Sequence, residues 1–383
     1  MNPAPPLQSQ HQTRAEIFAP ASVEEGVDWV RRRIDERRPF WVAGRQTRSQ
    51  PAGHLVLSTH RLDRIRWFEP DDMVIGVEAG ARVADVQKQL GERNMLLPVN
   101  PWYQGSSVGG VVACNEYGPD RLERGGLRDF IIGIEYINGE GRLVKAGGKV
   151  VKNVTGYDLG KMMLGSRGGL GVITAVHFKV IPARTEPQEL FVTGGRSAPM
   201  SEVRALHEKK LPVDWLELVC HEQTWSLGVG FSGNQARRER IRRELGSIWG
   251  NALRSDCPAP RPGSGRLTGF LTALLSSGVG FPGALHVHGA YPTRTFCERV
   301  ALEAVGMDGL VVHPIGGDFH AFIKPDQRVR LNQLFRREPG FLTFLDTDGE
   351  RVSPVPSEHV LMRELKNRLD PYQIFVSPFY DLS

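Results

Sequence analysis

The sequence has no apolar run long enough to cross a membrane. Stretches such as Phe130 to Ile134 end within one or two turns of helix, whereas a bilayer span needs about 20 residues. Cysteine is scarce. The four cysteines, Cys114, Cys220, Cys257 and Cys297, are scattered and form no C-x-x-C pair. That argues against a disulfide framework, a structural zinc site and an iron–sulfur cluster. A reducing, cytoplasmic setting is the simplest fit, and any single-electron carrier would sit on another chain. No charged-apolar-small pattern opens the sequence, so no secretory signal is expected. The G-x-G-x-x-G dinucleotide fingerprint is missing between a first strand and helix, which excludes a Rossmann unit. Charge of one sign does not dominate either: the net charge is +5. Its densest clusters, Arg31 to Arg33 with Arg37 and Arg38, and Arg237 to Arg243, fall on predicted helices with acidic residues interleaved. They read as solvated helix faces, with docking to an anionic membrane or acidic partner as the alternative, and not as a nucleic-acid surface.

What is present is the composition of a globular protein, with 40% hydrophobic and 24% charged residues. The length of 383 residues suits two domains. Residues 1–13, rich in Pro and Gln, read as a disordered tail. Ser22-Val23-Glu24-Glu25 is a capping-box pattern, with the Glu25 carboxylate expected to reach back to the Ser22 amide. A helix follows until Pro39, then strands at Phe40 to Ala43, Leu55 to Leu57 and Met73 to Glu78. Val83, Val86 and Leu90 mark a short amphipathic helix. Phe130 to Ile137 and Arg142 to Lys145 read as a hairpin around Asn138-Gly139. In the second half, strands are expected at Glu189 to Thr193, Asp214 to Val219, Trp225 to Phe231, Ala284 to His288 and Leu310 to His313. Helices are expected at Gln235 to Trp249 and Asp326 to Arg337, and Asp256 to Gly265 reads as a linker or exposed loop.

Gly-rich turns recur between these elements. Glycine lets a ligand approach backbone amides closely, and successive amides ahead of a helix can form an anion nest suited to a pyrophosphate. One such turn alone is ordinarily just a tight turn, but here several occur in fixed order. They are Gly44-x-x-Thr47, then Gly105-Ser106-Ser107-Val108-Gly109-Gly110, then Leu127-Arg128-Asp129-Phe130-Ile131-Ile132-Gly133. Lys152-Asn153-Val154-Thr155-Gly156-Tyr157-Asp158 and Gly165-Ser166-Arg167-Gly168-Gly169-Leu170-Gly171-Val172-Ile173 complete the series. This series resembles the PCMH-type FAD-binding domain of the vanillyl-alcohol-oxidase superfamily, and its last two stretches are most similar to the FAD-binding subunit of glycolate oxidase. The resemblance is strong from about residue 40 to 182 and returns at Leu361 to Lys366 and Leu369-Asp370-Pro371.

The resemblance implies an α+β fold. A two-subdomain FAD-binding domain would cover residues 14–185 and an α+β cap residues 186–354, with residues 355–383 forming a C-terminal helix that returns to the first domain. It implies cofactor contacts from Gly44, Thr47, Gly105, Ser106, Ser107, Gly109, Gly110, Gly171 and Ile173. Lys152, Asn153, Tyr157 and Asp158 would either contact cofactor or fix their loop. No histidine lies in the Gly44 loop, so FAD is expected without a covalent link. Arg45 and Gln46 stand where the family carries glycines. If those positions need positive φ, their side chains would be strained, unless Arg45 offsets the loss by pairing with a phosphate.

The implied activity is that of a FAD-binding subunit in a glycolate-oxidase-like complex, oxidising a 2-hydroxy acid to a 2-oxo acid. Its partners would be a second flavin subunit and an iron–sulfur subunit, with any membrane contact made through the complex. Two other readings stay open: a free-standing FAD oxidoreductase of another hydroxy acid or alcohol, and a scaffold subunit that has lost flavin. Catalytic residues are not assignable from sequence. His286-x-His288 alternates on a strand, so both imidazoles would face one side. The His313 to His320 spacing resembles the metal-binding histidines of D-2-hydroxyacid dehydrogenases. The G-D-G-N around those histidines is absent here, and Glu358-His359 lacks the usual following glycines. The expectation is polar residues lining a cap strand, with no metal.

Overall fold

The computed structural model describes residues 15–45, 55–99, 101, 103, 105–118, 121–148, 159–183, 188–195, 198–221, 223–250, 253–254, 285–290, 309–314, 317–329, 341–344, 352–353 and 359–377. The chain opens with β1 (Glu16–Phe18), α1 (Val23–Asp35), β2 (Phe40–Ala43) and β3 (Leu55–Ser58). β1 and β2 both pair parallel with β3. The Ser22 hydroxyl accepts from the Glu25 amide at 3.2 Å, as its position predicts. The returning Glu25 carboxylate takes the Ala21 amide at 2.6 Å instead of that of Ser22. Trp29 anchors α1: it stacks on Phe18 at 4.9 Å and meets the edge of Phe40 at 4.7 Å. Aromatic pairs of this geometry add about 0.5–1.5 kcal/mol beyond area burial.

Next come β4 (Ile65–Glu69), β5 (Val74–Glu78), α2 (Val83–Gly91), β6 (Met95–Leu96), α3 (Val108–Cys114) and α4 (Arg121–Arg124). They are followed by β7 (Ile131–Ile137), β8 (Leu143–Gly147), α5 (Leu159–Met163), β9 (Val172–Lys179) and β10 (Ile181–Pro182). The second sheet is antiparallel, in the order β4-β5-β9-β7-β8. Its inner face, with Ile75, Val77, Ile134 and Val176, packs on Val86 and Leu90 of α2 and Val111 and Val112 of α3. Each such aliphatic side chain contributes about 1.5–3 kcal/mol on burial. The turn between β7 and β8 runs through Gly141 at φ +69°, with the Asn138 carboxamide oxygen accepting from the Glu140 and Arg142 amides. It is longer than the Asn-Gly turn expected. β4 was not foreseen, because Ile-Arg-Trp-Phe-Glu has no clean alternation and its order comes from pairing with β5.

The remainder builds one nine-stranded sheet. It contains β11 (Gln188–Gly195), α6 (Met200–Glu208), β12 (Trp215–His221), β13 (Thr224–Phe231), α7 (Gln235–Trp249), β14 (Leu253–Arg254), β15 (Leu285–Ala290), β16 (Gly309–His313) and β17 (Asp318–Ile323). β18 (Phe341–Phe344) and β19 (Val352–Ser353) complete it. The order is β14-β11-β13-β12-β16-β17-β15-β18-β19, antiparallel throughout. One face is apolar: Leu216, Leu218, Leu227, Val229, Val287, Leu310, Val312, Phe319 and Ala321 pack against Val203 and Leu206 of α6 and Ile241, Leu245 and Trp249 of α7. β17 was not expected from the sequence. Of the anticipated Asp326 to Arg337 helix, a short 3-10 turn spans Pro325–Gln327 and Arg328 and Val329 are helical; residues 330–340 lie outside the described residues, as does the Asp256 to Gly265 loop.

The chain then returns through α8 (His359–Leu369) to β20 (Phe375–Val376), which pairs parallel with β2 and completes the first sheet. The α+β fold class agrees with the sequence expectation.

Candidate functional site

The structure brings two of the expected Gly-rich segments together. A Cβ added to Gly44 would lie 2.2 Å from the Ser107 hydroxyl, and one on Gly109 would lie 2.7 Å from the Ala79 Cβ. Ser107 caps α3 by accepting from the Gly110 amide at 3.2 Å. The amides of Val108 and Gly109 donate to the carbonyls of Ala81 and Ala79, at 2.9 and 2.7 Å. The anticipated nest of amides is therefore revised, because these donors already hold α3 against the end of β5. What the turn presents is different. The Ser106 hydroxyl, and that of Ser166 from the turn following α5, are buried with no hydrogen-bond partner among the described residues. Buried hydroxyls left in this state cost free energy unless a ligand satisfies them. Gly105, next to Ser106 in the chain, is half-buried.

The 165–171 turn docks onto the far end of α3. Gly165 and Arg167 donate their amides to the Val112 and Ala113 carbonyls at 3.0 and 2.8 Å. Gly171 has φ +156°, and an added Cβ would lie 2.8 Å from the Ile137 carbonyl oxygen. Ile173 points into the apolar core of the second sheet. A buried lysine braces this turn: Lys366 of α8 donates to the Gly169 carbonyl at 2.8 Å, the Asp370 carboxylate at 2.5 Å and the Phe375 carbonyl at 2.6 Å. Its three ammonium protons are thus all used. Thr47, Lys152, Asn153, Tyr157 and Asp158 lie outside the described residues.

Arg45 is not strained: it is absent from the positive-φ residues of the described chain. Its guanidinium donates to the Gly80 carbonyl at 2.8 Å and the His60 carbonyl at 3.3 Å, and pairs with Asp63 at 3.3 Å. It therefore fastens the Gly44 loop to the end of β5, which corrects the expectation of a strained or phosphate-bound side chain there.

The second feature is the polar face of the nine-stranded sheet. Strand alternation sends His286, His288, His313, Asp318, His320 and Glu217 to the side opposite the apolar core. Register does the rest. His288 lies directly across from His320, and His313 across from Asp318. His286 and His320 approach at 3.0 Å between ring nitrogens, and the His288 and His320 rings stack at 4.6 Å. His313 is held on both sides, by Asp318 at 2.6 Å and Glu217 at 3.2 Å. Burial opposes charge on His313, but the Asp318 and Glu217 carboxylates raise it from 6.5 to about 10. It is therefore an imidazolium at neutral pH.

The donor atoms of His288, Asp318 and His320 all lie within 4.8 Å of one another, a set that could hold a metal ion. His313, whose spacing to His320 suggested a metal pair, is not part of that set. Its ring nitrogens are taken by the two carboxylates.

Two tyrosines from the N-terminal region reach this face. Tyr103, two residues before Gly105, hydrogen-bonds His286 at 2.7 Å. Tyr117, just beyond α3, lies 6.4 Å from the His288 ring and hydrogen-bonds Asp318. Burial and then the Asp318 charge push its phenol far up, so it stays protonated. Arg121 lies over the Tyr117 ring at 4.0 Å. Sequence reasoning missed Tyr103, Tyr117, Arg121, Glu217 and Asp318. For Asp318 the signal was present: Asp-Phe-His-Ala-Phe-Ile alternates polar and apolar positions. The tyrosines carry no local signature.

Residues 15–147 match the family described as FAD binding domain. Glycolate oxidase subunit GlcE of Escherichia coli (strain K12) is 29% identical over 225 residues, which is 57% of this chain and 63% of that protein. A D-lactate dehydrogenase of Anaerostipes hadrus is 29% identical over 45% of this chain and 38% of its own length. Glycolate oxidase subunit GlcD of Bacillus subtilis (strain 168) is 30% identical over 34% of this chain and 28% of its own length. The chain thus spans less than two thirds of each of these relatives. Among solved structures, an alkyldihydroxyacetonephosphate synthase aligns with TM-score 0.66 at 14% identity, covering 94% of this chain and 75% of that one. No helix among the described residues is long and apolar enough to cross a membrane. The chain has the PCMH-type FAD-binding fold, and within it residues 15–147 match the FAD binding domain family.

Proposed function

We propose that this chain is a FAD-dependent oxidoreductase that converts a 2-hydroxy acid to a 2-oxo acid and works as the FAD-binding subunit of a glycolate-oxidase-like complex. One observation carries the reading. The Tyr103 to His286 hydrogen bond ties the segment leading into the Gly105–Gly110 turn directly to a buried cluster of imidazoles and carboxylates. The segment leading into the candidate cofactor turn therefore lies against the acid–base groups. GlcE, GlcD and D-lactate dehydrogenase among the relatives support the substrate class.

The residues present fit FAD. Gly44, Ser107, Gly109 and Gly110 form a close-packed cradle, and the buried Ser106 hydroxyl beside it offers a donor to a pyrophosphate. Gly105, Gly171 and the Thr47 loop would border the same cofactor, with Ile173 supporting from the core. When bound, FAD supplies the two-electron acceptor that the protein itself lacks. The protein's part is to orient the hydroxy acid and exclude water. The imidazoles of His286, His288 and His320 are the groups placed to take the hydroxyl proton. FAD is held without a covalent link, and partners carrying a second flavin and an iron–sulfur cluster would take the electrons onward.

The purified chain should show flavin absorption bands, and acid precipitation should leave the colour in the supernatant. A colourless protein, after reconstitution with FAD, would defeat the reading; colour in the precipitate would defeat the non-covalent part. An added Cβ on Gly110 meets only the Ser107 hydroxyl, at 3.0 Å. Gly110→Asp should therefore fold yet lose FAD, because its carboxylate would repel the pyrophosphate. Dye reduction with glycolate or lactate, measured with and without co-expressed partner subunits, tests the complex. Rapid turnover by the lone chain would favour a free-standing enzyme.

A further inference from the structure

A 2-hydroxy acid brings a carboxylate into the cleft, and a carboxylate taken out of water needs a cation. The cleft's own charges point to one group. His313 is already shared between Asp318 and Glu217. Arg237 is engaged by Asp214 at 3.5 Å, Glu123 at 3.6 Å and the Pro212 carbonyl at 2.7 Å. Lys366 is fully used in the C-terminal brace. Arg121 differs: it is exposed, and among the described residues it has no carboxylate partner. Its guanidinium lies on the Tyr117 ring at 4.0 Å. Arg121 also hydrogen-bonds Tyr117, so ring and hydroxyl hold the guanidinium in place, and a guanidinium has donors enough beyond that bond to grip a carboxylate through two parallel hydrogen bonds.

The ring beneath Arg121 is itself held. Tyr117 hydrogen-bonds Asp318, Asp318 holds His313 at 2.6 Å, and His313 reaches Glu217 at 3.2 Å inside the sheet. A chain of buried contacts thus runs from β12 to a single surface guanidinium contributed by the N-terminal region. We propose that Arg121 is the specificity-determining residue that binds the carboxylate of a small 2-hydroxy acid, with Tyr117 as its positioning residue. The hydroxyl end of such a substrate would then face His288, the imidazole 6.4 Å from Tyr117. This inference rests on the 2-hydroxy-acid reading above.

The test uses the full-length chain loaded with FAD, with binding followed by the flavin difference spectrum. Oxalate serves as the unreactive carboxylate probe, glycolate as the substrate probe and glycolamide as the neutral control. Arg121→Met should weaken oxalate and glycolate binding roughly tenfold, the scale expected when a solvent-facing bidentate charge pair is truncated. Glycolamide binding and FAD content should stay as in the parent protein. Arg121→Lys, which keeps the charge but not the fork, should recover part of the affinity. Tyr117→Leu should weaken oxalate binding less than Arg121→Met does. Undiminished oxalate binding by Arg121→Met would overturn the inference and leave the 2-hydroxy-acid reading standing. Loss of FAD from Arg121→Met would also overturn it, by assigning the residue to the cofactor. A parent protein that binds neither oxalate nor any 2-hydroxy acid at millimolar concentration would sink the functional reading, and the inference with it.

Discussion

The FAD binding domain and the nine-stranded sheet bury polar groups in opposite ways. Around the candidate cofactor cradle the packing is tight. Glycines lie against Ser107, Ala79 and Ile137, and a deeply buried ion pair, Lys366 with Asp370, is closed on itself by backbone partners. The sheet instead buries Asp214, Glu217, His286, His288, His313, Asp318 and His320. Asp318 and Glu217 there share a single imidazolium. One region is built to fit a shape and the other to hold charge. Substitutions in the two should therefore fail for different reasons.

The largest effect is expected in the sheet. His313→Gln leaves two buried carboxylates without their cation and should cost about 5 kcal/mol, the upper part of the range for breaking a buried ion pair. Urea unfolding measures it. The pH dependence sharpens the point. His313 has its pKa raised from 6.5 to about 10 in the folded protein. Its contribution to stability is therefore fully present below about pH 6.5 and is lost as pH rises toward 10. Stability of the parent should decline across that window, and in His313→Gln the decline should flatten. An unchanged slope would show that His313 is not the titrating group.

Lys366→Met should cost about 3 kcal/mol, since Asp370 would stay buried with only amide donors. Asp370→Asn placed in the same chain should return part of the loss. Additive losses in that double-mutant cycle would mean the pair is not coupled. Gly109→Ala presses a methyl toward Ala79, with 2.7 Å to its Cβ and 3.1 Å to its carbonyl oxygen. It should cost about 1–3 kcal/mol and lower FAD content in parallel. Full occupancy at parental stability would show that α3 can shift without harming the cradle. Ser22→Ala, remote from both regions, should cost about 1 kcal/mol through loss of the α1 cap and leave FAD content unchanged.

The same contrast explains what could be read from sequence. The cradle is built from local signals: Ser107 is both turn residue and helix cap, and the strands and helices around it start and stop where glycine, proline and apolar spacing say they should. Arg45 was harder, because its partners Gly80 and Asp63 belong to other segments. The charge cluster is harder still. Its members come from β12, β15, β16 and β17, and only the strand register sets His288 opposite His320 and His313 opposite Asp318. Alternation told that His286 and His288 share a face, but not what that face meets. Tyr103 and Tyr117 enter from a different region altogether, which no window along the sequence can show.

The parallel pairing of Phe40 with Phe375 has a consequence for how the protein is made. During synthesis β1, β2 and β3 leave the ribosome early, yet the strand that completes their sheet, and the lysine that braces the 165–171 turn, leave only after the entire nine-stranded sheet has been translated. The β2 edge must stay unpaired for that whole interval, an open edge of the kind that invites aggregation. Closure of the first sheet is thus a late folding event, and flavin loading through the braced turn would wait on the last stretch of translation.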